Sequence, residues 1–289
     1  MDLRSLRFFL AVAREKSFLR AAQTLHHTQP NVTRTVKALE DKLGGPLFVR
    51  SSRGVTLTPR GEVLVKRATE IVDMVSQTEQ DVRGCDRSSG LTGDIRIAAG
   101  ETAHMPRFLA AVQRTRAKHP GIRFHFHSAN GEEVARRVDL GLADLGLVFE
   151  PFNLTPYAHR TLPWTENWGV IVPQNHPFAS QCAVSAQDLR RVPIIVSAQM
   201  LEKNAFTAWL GCDPMALNLA GTYNLIGTAL QMASQGMGAL IGFEGLGAYV
   251  PHLKFLPFNP PLTASVYLIA KHGDAPKHVK AFLDELDGL

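Results

Sequence analysis

The sequence predicts an α/β protein in three parts: a small helical module, one long helix, and a larger body of alternating strands and helices. Apolar residues recur at helical spacing through most of residues 1–87. Beyond residue 90 short β-prone runs alternate with helical segments, and positive charge is concentrated in residues 1–62. A chain of 289 residues is long enough for about two domains of ordinary size.

The composition excludes several classes of protein. Hydrophobic residues make up 45% and charged residues 20% of the chain, which is typical of a globular protein and not of a disordered or fibrous one. No window approaches the roughly 18 uncharged apolar residues of a membrane span. Charges also interrupt the first 17 residues, so we expect no signal peptide, no membrane partner and a cytoplasmic location.

The excess positive charge lies in the first fifth of the chain. Residues 1–62 hold 11 Lys/Arg and 5 Asp/Glu, a net charge of +6, whereas residues 91–289 hold 16 of each. A basic module attached to a neutral body is typical of a domain that binds a polyanion such as nucleic acid. The alternative is a basic face that is only solvated.

Two helices are predicted in the first 25 residues. Residues 2–14 form the first, because four apolar residues recur there at helical spacing. These are Leu3, Leu6, Leu10 and Ala13. Ser17 is a good N-cap for a second, short helix that ends near Leu25. Ala21 and Ala22 are small enough to let another helix pack closely against it.

A third helix is predicted from Thr28, which can serve as its N-cap, to about Lys42. Proline is tolerated in its first turn, where the missing N–H would have no intrahelical partner. At 100° per residue the helix has two faces, roughly 120° apart. The apolar face consists of Val32, Val36, Leu39 and Leu43. The polar face consists of Gln29, Pro30, Thr33, Arg34 and Lys37.

Two β-prone runs follow, Leu47-Phe48-Val49 and Val55-Thr56-Leu57. The residues between them include Arg50 and Arg53, so the pattern predicts a hairpin with two arginines near its tip. Two helices joined by a tight turn, the second with a polar face, predict a helix-turn-helix that docks in the major groove of duplex DNA. We expect that face to contact bases and phosphates, and the two arginines to hold phosphate or the minor groove.

A long helix is predicted from Pro59 to about Arg87. Its apolar residues have the heptad spacing of a coiled coil. They are Leu64, Ala68, Ile71, Val75, Thr78 and Val82. A homodimer through this stripe is favoured, because a helix between two globular parts has little else to cover it. The alternative is that the stripe packs on its own domain.

From about residue 91 strands alternate with helices, which predicts an α/β body with a mostly parallel sheet. Strands are predicted at 95–99, 122–127, 145–149, 169–172, 194–196, 217–219, 239–241 and 265–270. Helices are predicted at 106–118, 131–140, 186–191, 201–210, 224–235 and 276–287.

The segment from Phe9 to Gly61 closely resembles the winged helix-turn-helix of LysR-type transcriptional regulators. The matching residues include Ser17-Phe18, Ala21-Ala22, Gln29-Pro30, Leu39-Glu40, Leu47-Phe48 and Leu57-Thr58-Pro59. Weaker similarity continues along the chain, at the long helix, Asp144 to Leu147, Asn175-His176-Pro177 and Ala233 to Leu240.

The resemblance implies three domains. They are a winged helix-turn-helix DNA-binding domain at 1–58, a dimerising linker helix at 59–90, and an effector-binding domain at 91–289. The last is implied to have two periplasmic-binding-protein-like lobes, lobe I at 92–161 and 264–289 and lobe II at 162–263. The implied partners are an interrupted dyad in double-stranded DNA, a second copy of the chain in a homodimer or homotetramer, a small-molecule effector that alters promoter bending, and RNA polymerase.

An effector is expected between the lobes, where loops follow the carboxyl ends of strands and helix N-termini point outward. The candidate residues are Thr102, Glu101, Ser128, Asn130, Ser197 and Asn224. Thr102 ranks first, because the resemblance implies a hydroxyl residue of this loop in the effector pocket. Glu101 would repel a carboxylate effector unless it points away or is paired. The alternative for Ser128, Asn130, Ser197 and Asn224 is a role as helix N-caps.

Two other functions are considered. An enzyme is disfavoured, because no Rossmann glycine loop, GxSxG, HExxH or CxxC motif is present, and we expect no catalytic residue, metal or cofactor. His125 and His127 share one face of a predicted strand, but a metal site would need a third ligand. A thiol redox sensor would use Cys182 and Cys212, which are 30 residues apart. Together with Cys85 they are expected to be buried, reduced thiols.

Overall fold

A computed structural model describes residues 1–51, 54–84, 91–201 and 204–288. The chain divides into two compact units, Met1–Asp86 and Arg87–Leu289. Each unit has hydrophobic clusters of its own. Within the described ranges, no helix combines the length and the apolar character needed to cross a membrane.

The first unit contains four helices and a β-hairpin in its described part. The helices are α1 (Leu3–Glu15), α2 (Phe18–Thr24), α3 (Gln29–Leu43) and α4 (Pro59–Gly84). The hairpin pairs β1 (Phe48–Ser51) with β2 (Gly54–Leu57) in antiparallel register. These bounds lie within one or two residues of the predicted ones, apart from the end of α4, whose continuation to Arg87 falls outside the described residues.

Side chains cap the first two helices. Asp2 accepts a hydrogen bond from the Ser5 backbone N–H at 2.7 Å, and Ser17 Oγ accepts one from the Arg20 N–H at 3.3 Å. Thr28 precedes α3 with extended backbone, but its hydroxyl makes no capping hydrogen bond, so the predicted cap does not form through this side chain. Gly44 ends α3 with φ +76°, a left-handed conformation that favours glycine.

One hydrophobic core holds the helices of the first unit together. Phe9, Val12, Ala21 and Val32 are fully buried in it, and α4 contributes Ala68. Complete burial of a Val or Phe side chain contributes roughly 1.5–3 kcal/mol. This core fixes which side of α3 faces inward.

The hairpin is attached to two helices. Glu40 Oε1 in α3 accepts hydrogen bonds from the backbone N–H groups of Leu47 and Phe48, at 2.8 and 3.3 Å. The Val55 N–H donates to the carbonyl oxygen of Lys16, at the end of α1, at 3.3 Å. The hairpin is therefore held to α3 at the start of β1 and to the end of α1 through β2.

The second unit is a nine-stranded sheet with helices around it. Its strands are β3 (Gly93–Ala99), β4 (Ile122–Ser128), β5 (Leu145–Phe149), β6 (Ala158–Pro173), β7 (Ile194–Ser197), β8 (Leu219–Tyr223), β9 (Ala239–Phe243), β10 (Leu253–Pro257) and β11 (Thr263–Ala270). Its helices are α5 (Met105–Lys118), α6 (Gly131–Asp139), α7 (Ala186–Leu189), α8 (Ala198–Leu201), α9 (Asn204–Leu210), α10 (Ile226–Ser234) and α11 (Lys277–Asp287).

The sheet is mixed, so the prediction of a mostly parallel sheet is wrong. The strand order is β4-β3-β5-β11-β6-β9-β7-β8, and β10 pairs with β6. β3 is parallel to β4 and β5, and β7 is parallel to β8 and β9. The other pairings are antiparallel, because β11 runs opposite to the set around β3 and β6 runs opposite to the set around β7.

Strand β6 begins 11 residues before the predicted strand at 169–172. Its first part alternates the buried residues Leu162, Trp164 and Glu166 with exposed ones. Pro163 and the buried carboxyl obscure this alternation in the sequence. The proline lies where the register with β11 shifts, and an irregular pairing tolerates a missing backbone donor.

Three other elements differ from the prediction. The helix predicted at 201–210 is replaced by α8 and α9, and the strand predicted at 217–219 begins at Leu219 and extends to Tyr223. β10 has no counterpart among the predicted strands. Only Leu256 is buried in β10, so its sequence shows little alternation.

Two hydrophobic clusters lie toward the two ends of the sheet. One contains Ile95, Phe108 and Phe282, which pack β3 against α5 and α11. The other contains Ile194 and Phe206, which pack β7 against α9. β6 and β11 connect the two parallel sets of strands, while the lobe limits at 92–161, 162–263 and 264–289 stay a prediction.

Candidate functional site

Helix α3 has one buried face and one exposed face. Val32, Val36 and Leu39 are at most 2% exposed. The polar residues lie on the opposite side, where Gln29, Pro30, Arg34 and Lys37 are exposed and Thr33 is half-buried. Leu43, predicted to belong to the apolar face, is 40% exposed, because it is the last residue of the helix. The polar face is therefore accessible to a partner over at least two turns.

The charges on this face are only weakly engaged within the chain. Lys37 Nζ lies 3.2 Å from Asp41 Oδ1, and both side chains are about two-thirds exposed (66% and 64%). An exposed pair of this kind contributes about 0–1 kcal/mol. Lys37 can therefore exchange this carboxylate for a phosphate at little cost.

The hairpin supplies the second predicted group of DNA contacts. Arg50 lies in β1, opposite Val55. Arg53 lies outside the described residues. Through the Glu40 hydrogen bonds, the strand that carries Arg50 is tied directly to the helix that carries Arg34 and Lys37.

The predicted heptad stripe of α4 divides between two environments. Leu64 and Ala68 pack on the core of the first unit, whereas Ile71 and Val82 are 37% and 65% exposed. Packing on its own domain is therefore correct for the start of the stripe, and the expectation of one continuous seam is wrong. Four large apolar residues of the helix are exposed, two of them from the predicted stripe, and we call them the α4 stripe: Val63, Ile71, Met74 and Val82.

A cavity of about 400 Å³ lies in the second unit, between loops that follow β3, β4, β7 and β8. Four of the six predicted effector residues line it. They are Glu101, Asn130, Ser197 and Asn224. The loops that carry them come from both parallel sets of strands, as the prediction of a site between two lobes requires.

The other two predicted residues do not line this cavity. Ser128 lies in an adjoining polar cavity, which also has Asn130 and Asn224 on its wall. The Thr102 side chain is buried, where its hydroxyl donates a hydrogen bond to Glu166 Oε1 and accepts one from the His104 N–H at 2.9 Å. Burial raises the pKa of Glu166. The hydroxyl of Thr102 is therefore committed to a buried carboxyl group.

Two of the lining residues are also helix N-caps, as the alternative interpretation held. Asn130 Oδ1 accepts a hydrogen bond from the Glu133 N–H at 3.0 Å, and Ser197 Oγ accepts one from the Met200 N–H at 3.2 Å. Asn224 precedes α10 without capping it, since Leu225 occupies the N-cap position.

Two hydrogen bonds span the cavity. Glu101 Oε2, after β3, accepts from the Ile226 N–H at the start of α10 at 2.7 Å. Gln199 Oε1, after β7, accepts from the Gly131 N–H at the start of α6 at 3.2 Å. Each helix N-terminus is thus met by a side chain from the opposite parallel set. Glu101, whose charge would repel a carboxylate effector, is therefore hydrogen-bonded to a backbone N–H group.

The sequence analysis missed the aromatic part of the cavity wall. Phe149, Trp168 and Phe243 line it, with ring centroids 4.1 Å apart for Trp168 and Phe243 and 5.0 Å apart for Phe149 and Phe243. Tyr223 also lines it, and burial followed by the nearby Glu101 charge raises the Tyr223 pKa. Phe149, Tyr223 and Phe243 end their strands, and Trp168 lies within β6. These strands are far apart in sequence, so only the pairing of the strands brings the four residues together.

Cysteines and histidines form no metal or disulfide site among the residues that the structure describes. Cys182 is exposed, so the expectation of a buried thiol is wrong for it, and Cys212 is half-buried; both are free. Cys85 lies outside the described residues. His125 Nε2 lies 3.0 Å from Asp94 Oδ1. No group of three or more potential metal ligands occurs among the residues that the structure describes.

Comparison with known families covers both units. Residues 3–62 match the family described as bacterial regulatory helix-turn-helix protein, lysR family, and residues 88–288 match the LysR substrate binding domain. The chain belongs to the LysR family. It is a DNA-binding transcriptional regulator with an effector-binding domain, as the resemblance implied, and the family consists of regulators and not of enzymes.

Individual relatives of this LysR-family regulator agree with the assignment. The chain is 29% identical to the HTH-type transcriptional regulator IlvY of Escherichia coli K12 over 212 residues, 72% of this chain and 70% of IlvY. It is 27% identical to CzcR of Bacillus subtilis over 243 residues, 83% of this chain and 80% of CzcR.

Solved structures of LysR-type regulators share the fold. The crystal structure of CbnR, a LysR family transcriptional regulator, is similar with a TM-score of 0.75 and 18% identity, covering 100% of this chain and 99% of CbnR. Full-length BenM is similar with a TM-score of 0.56 and 22% identity, covering 100% and 96%.

Proposed function

We propose that this LysR-family regulator reads an interrupted dyad in double-stranded DNA with the exposed face of α3, and that a small molecule in the cavity of the second unit alters this binding or the bending of the promoter. One observation carries the first part. α3 buries its valines and Leu39 in the core and leaves Gln29, Pro30, Arg34 and Lys37 exposed, which is the orientation that a recognition helix needs.

The proposed contacts divide by chemistry. Gln29, Arg34 and Lys37, with Pro30 and Thr33 beside them, face base edges in the major groove, where Arg pairs with guanine and Gln with adenine. Arg50 and Arg53 hold phosphate or the minor groove, which fixes position without reading sequence.

Two variants test this division. Arg34→Ala is expected to lose discrimination at one base position, at a cost of about 1–3 kcal/mol. Arg53→Ala is expected to weaken binding to all duplexes by a similar factor. Fluorescence anisotropy with an operator fragment, single-base variants of it and random duplex measures both. Identical losses on operator and random duplex for the two variants would contradict these roles.

We also propose a homodimer or homotetramer. The α4 stripe supports it, because four large apolar side chains are exposed on one helix and a partner helix would remove them from water. A dimer would set two recognition helices about 34 Å apart, on successive major grooves. CbnR, which is similar in fold, has been crystallised with its target DNA. Contact with RNA polymerase and a cytoplasmic location belong to the same proposal.

The cavity supports the effector role. Its volume of about 400 Å³ lies in the range of about 300–1,000 Å³ typical of small-molecule sites. The bonds from Glu101 to Ile226 and from Gln199 to Gly131 cross it, so a ligand that enters must share or replace contacts between the two proposed lobes. A ligand of this kind would change the relative stability of two lobe arrangements.

A further inference from the structure

The charged residues described on the cavity wall are all acidic. Glu101, Glu132 and Glu150 line it, whereas no Lys, Arg or His is among its described lining residues. Glu202 and Lys203 lie outside the described residues. The described part of the wall therefore presents carboxylates and no compensating cation to a ligand.

The two donors that an anionic ligand would use first are already engaged. The Ile226 N–H, at the start of α10, is bonded to Glu101 at 2.7 Å. The Gly131 N–H, at the start of α6, is bonded to Gln199 at 3.2 Å. Helix N-termini favour anions, but here the chain's own acceptors occupy both positions. A carboxylate ligand would have to displace them and then lie beside Glu101 or Glu132.

The aromatic residues of the wall suit a cation. Phe149, Trp168 and Phe243 form a cluster on the cavity wall, with ring centroids 4.1 and 5.0 Å apart along it. An ammonium group within about 6 Å of an aromatic face is attracted by the ring quadrupole. The Tyr223 hydroxyl donates to the Ile241 carbonyl oxygen at 2.9 Å, so this donor is not offered to an anion.

The adjoining polar cavity does not change this balance. Among its described lining residues, Arg136 donates through Nε and Nη2 to both carboxylate oxygens of Glu133, each at 2.7 Å. Its histidine, His127, has a pKa lowered by burial and by the Arg137 charge, which favours the neutral ring. Glu132, shared by both cavities, is exposed and carries a further negative charge.

We propose that the cavity binds a small organic cation, an amine or quaternary ammonium on an aromatic or aliphatic body, and not a carboxylate. The ammonium group would lie between the aromatic cluster, whose ring faces attract it, and the carboxylates of Glu101 and Glu132, with the body along the rest of the cavity wall. This inference rests on the proposed effector role of the cavity and names its ligand class.

Isothermal titration calorimetry on the full-length protein, without DNA, tests the class. The probes are phenethylamine, 2-phenylethanol and 3-phenylpropionate, which share a phenyl body and differ in head-group charge. Hexylamine and hexanoate repeat the comparison with an aliphatic body. We expect each amine to bind at least tenfold more tightly than its carboxylate counterpart. Equal or tighter binding of the carboxylates, or no heat from either amine at millimolar concentration, overturns the proposal.

Charge-neutral variants test the contacts. Glu101→Gln keeps an oxygen that can accept from the Ile226 N–H, and Glu132→Gln changes an exposed side chain. The double variant is expected to bind phenethylamine at least tenfold more weakly and 2-phenylethanol as before. Asp274→Asn, which removes one exposed charge elsewhere in this unit, should change neither. If the double variant loses its fold, Glu132→Gln alone is measured, with a smaller loss expected; unchanged amine affinity in a folded variant contradicts the proposal.

A second readout separates this proposal from the effector role. Operator affinity is measured with and without each probe. An amine that binds but leaves operator affinity unchanged supports the ligand class and contradicts the effector role. A carboxylate that binds and shifts operator affinity supports the effector role and overturns the ligand class.

Discussion

Glu40 connects the recognition helix to the hairpin through one carboxylate oxygen. That oxygen accepts from two backbone N–H groups, those of Leu47 and Phe48, and β1 begins at the second of them. Both donors belong to residues that are at most 7% exposed. Hydrogen bonds to an ionised group are also roughly twice as strong as neutral ones.

Glu40→Ala is expected to lower the free energy of unfolding of the first unit by about 1–3 kcal/mol, because two buried donors lose their acceptor. Glu40→Gln should lose less, since its amide oxygen can still accept. Urea unfolding followed by circular dichroism, with hydrogen exchange at Leu47 and Phe48, measures the effect. Asp41→Ala on the same helix is the control, because its exposed pair with Lys37 contributes about 0–1 kcal/mol. Equal effects of Glu40→Ala and Asp41→Ala would contradict the bridging role.

Helix α4 carries apolar residues in two environments, packed on its own unit and exposed. Leu64 and Ala68 contact the core of its own unit, while the α4 stripe is between 37% and 65% exposed. Because Ile71, Met74 and Val82 lie further along the helix than Leu64 and Ala68, α4 can stay attached to the first unit through its earlier turns while its later turns pair with a second copy.

Met74→Glu together with Val82→Glu is expected to raise the dimer dissociation constant at least tenfold, about 1.4 kcal/mol, because carboxylates would be buried in the pairing surface. Sedimentation velocity over a concentration series measures it. Thr69→Glu adds a charge on the side of α4 away from the stripe, at 100° per residue, and should leave association unchanged. A double variant that still associates like the wild type would exclude the α4 stripe as the interface.

The sequence predicted the elements of the first unit because their signals are local. Ser17 caps α2, and the 3.6-residue period separates Val32 and Val36 from Arg34. The same kind of reasoning failed where long-range pairing decides the structure. β6 contains Pro163 and buries Glu166, so its alternation is visible only beside β11.

Some residues of the candidate site were likewise predictable from the sequence, and others were not. Glu101, Asn130, Ser197 and Asn224 were predictable from the rule that loops after parallel strands converge. The positions of Thr102 and of the aromatic residues were not. The Thr102 hydroxyl donates a hydrogen bond to Glu166, 64 residues away in sequence. Trp168 contacts Phe243 because β6 and β9 pair in antiparallel register. No local spacing encodes either contact.

Net charge is distributed unevenly along the chain. Residues 1–62 carry a net charge of +6, and residues 91–289 are neutral, with 16 charges of each sign. Counterions released from DNA should therefore come from contacts of the first unit alone. The salt dependence of binding then reports how many copies of that unit contact the duplex.

Arg53→Ala is expected to reduce the slope of log affinity against log salt by about 0.9 for each copy whose arginine contacts a phosphate. A homodimer on the operator should lose about 1.8 and a homotetramer with all four copies bound about 3.6. Anisotropy titrations with one operator fragment across a series of salt concentrations give both slopes. Lys254→Ala, which removes an exposed cation of the second unit, should leave the slope unchanged, because the neutral body is expected to make no phosphate contact. A change in slope for Lys254→Ala would show that the second unit also touches DNA, and an unchanged slope for Arg53→Ala would remove Arg53 from the set of phosphate contacts.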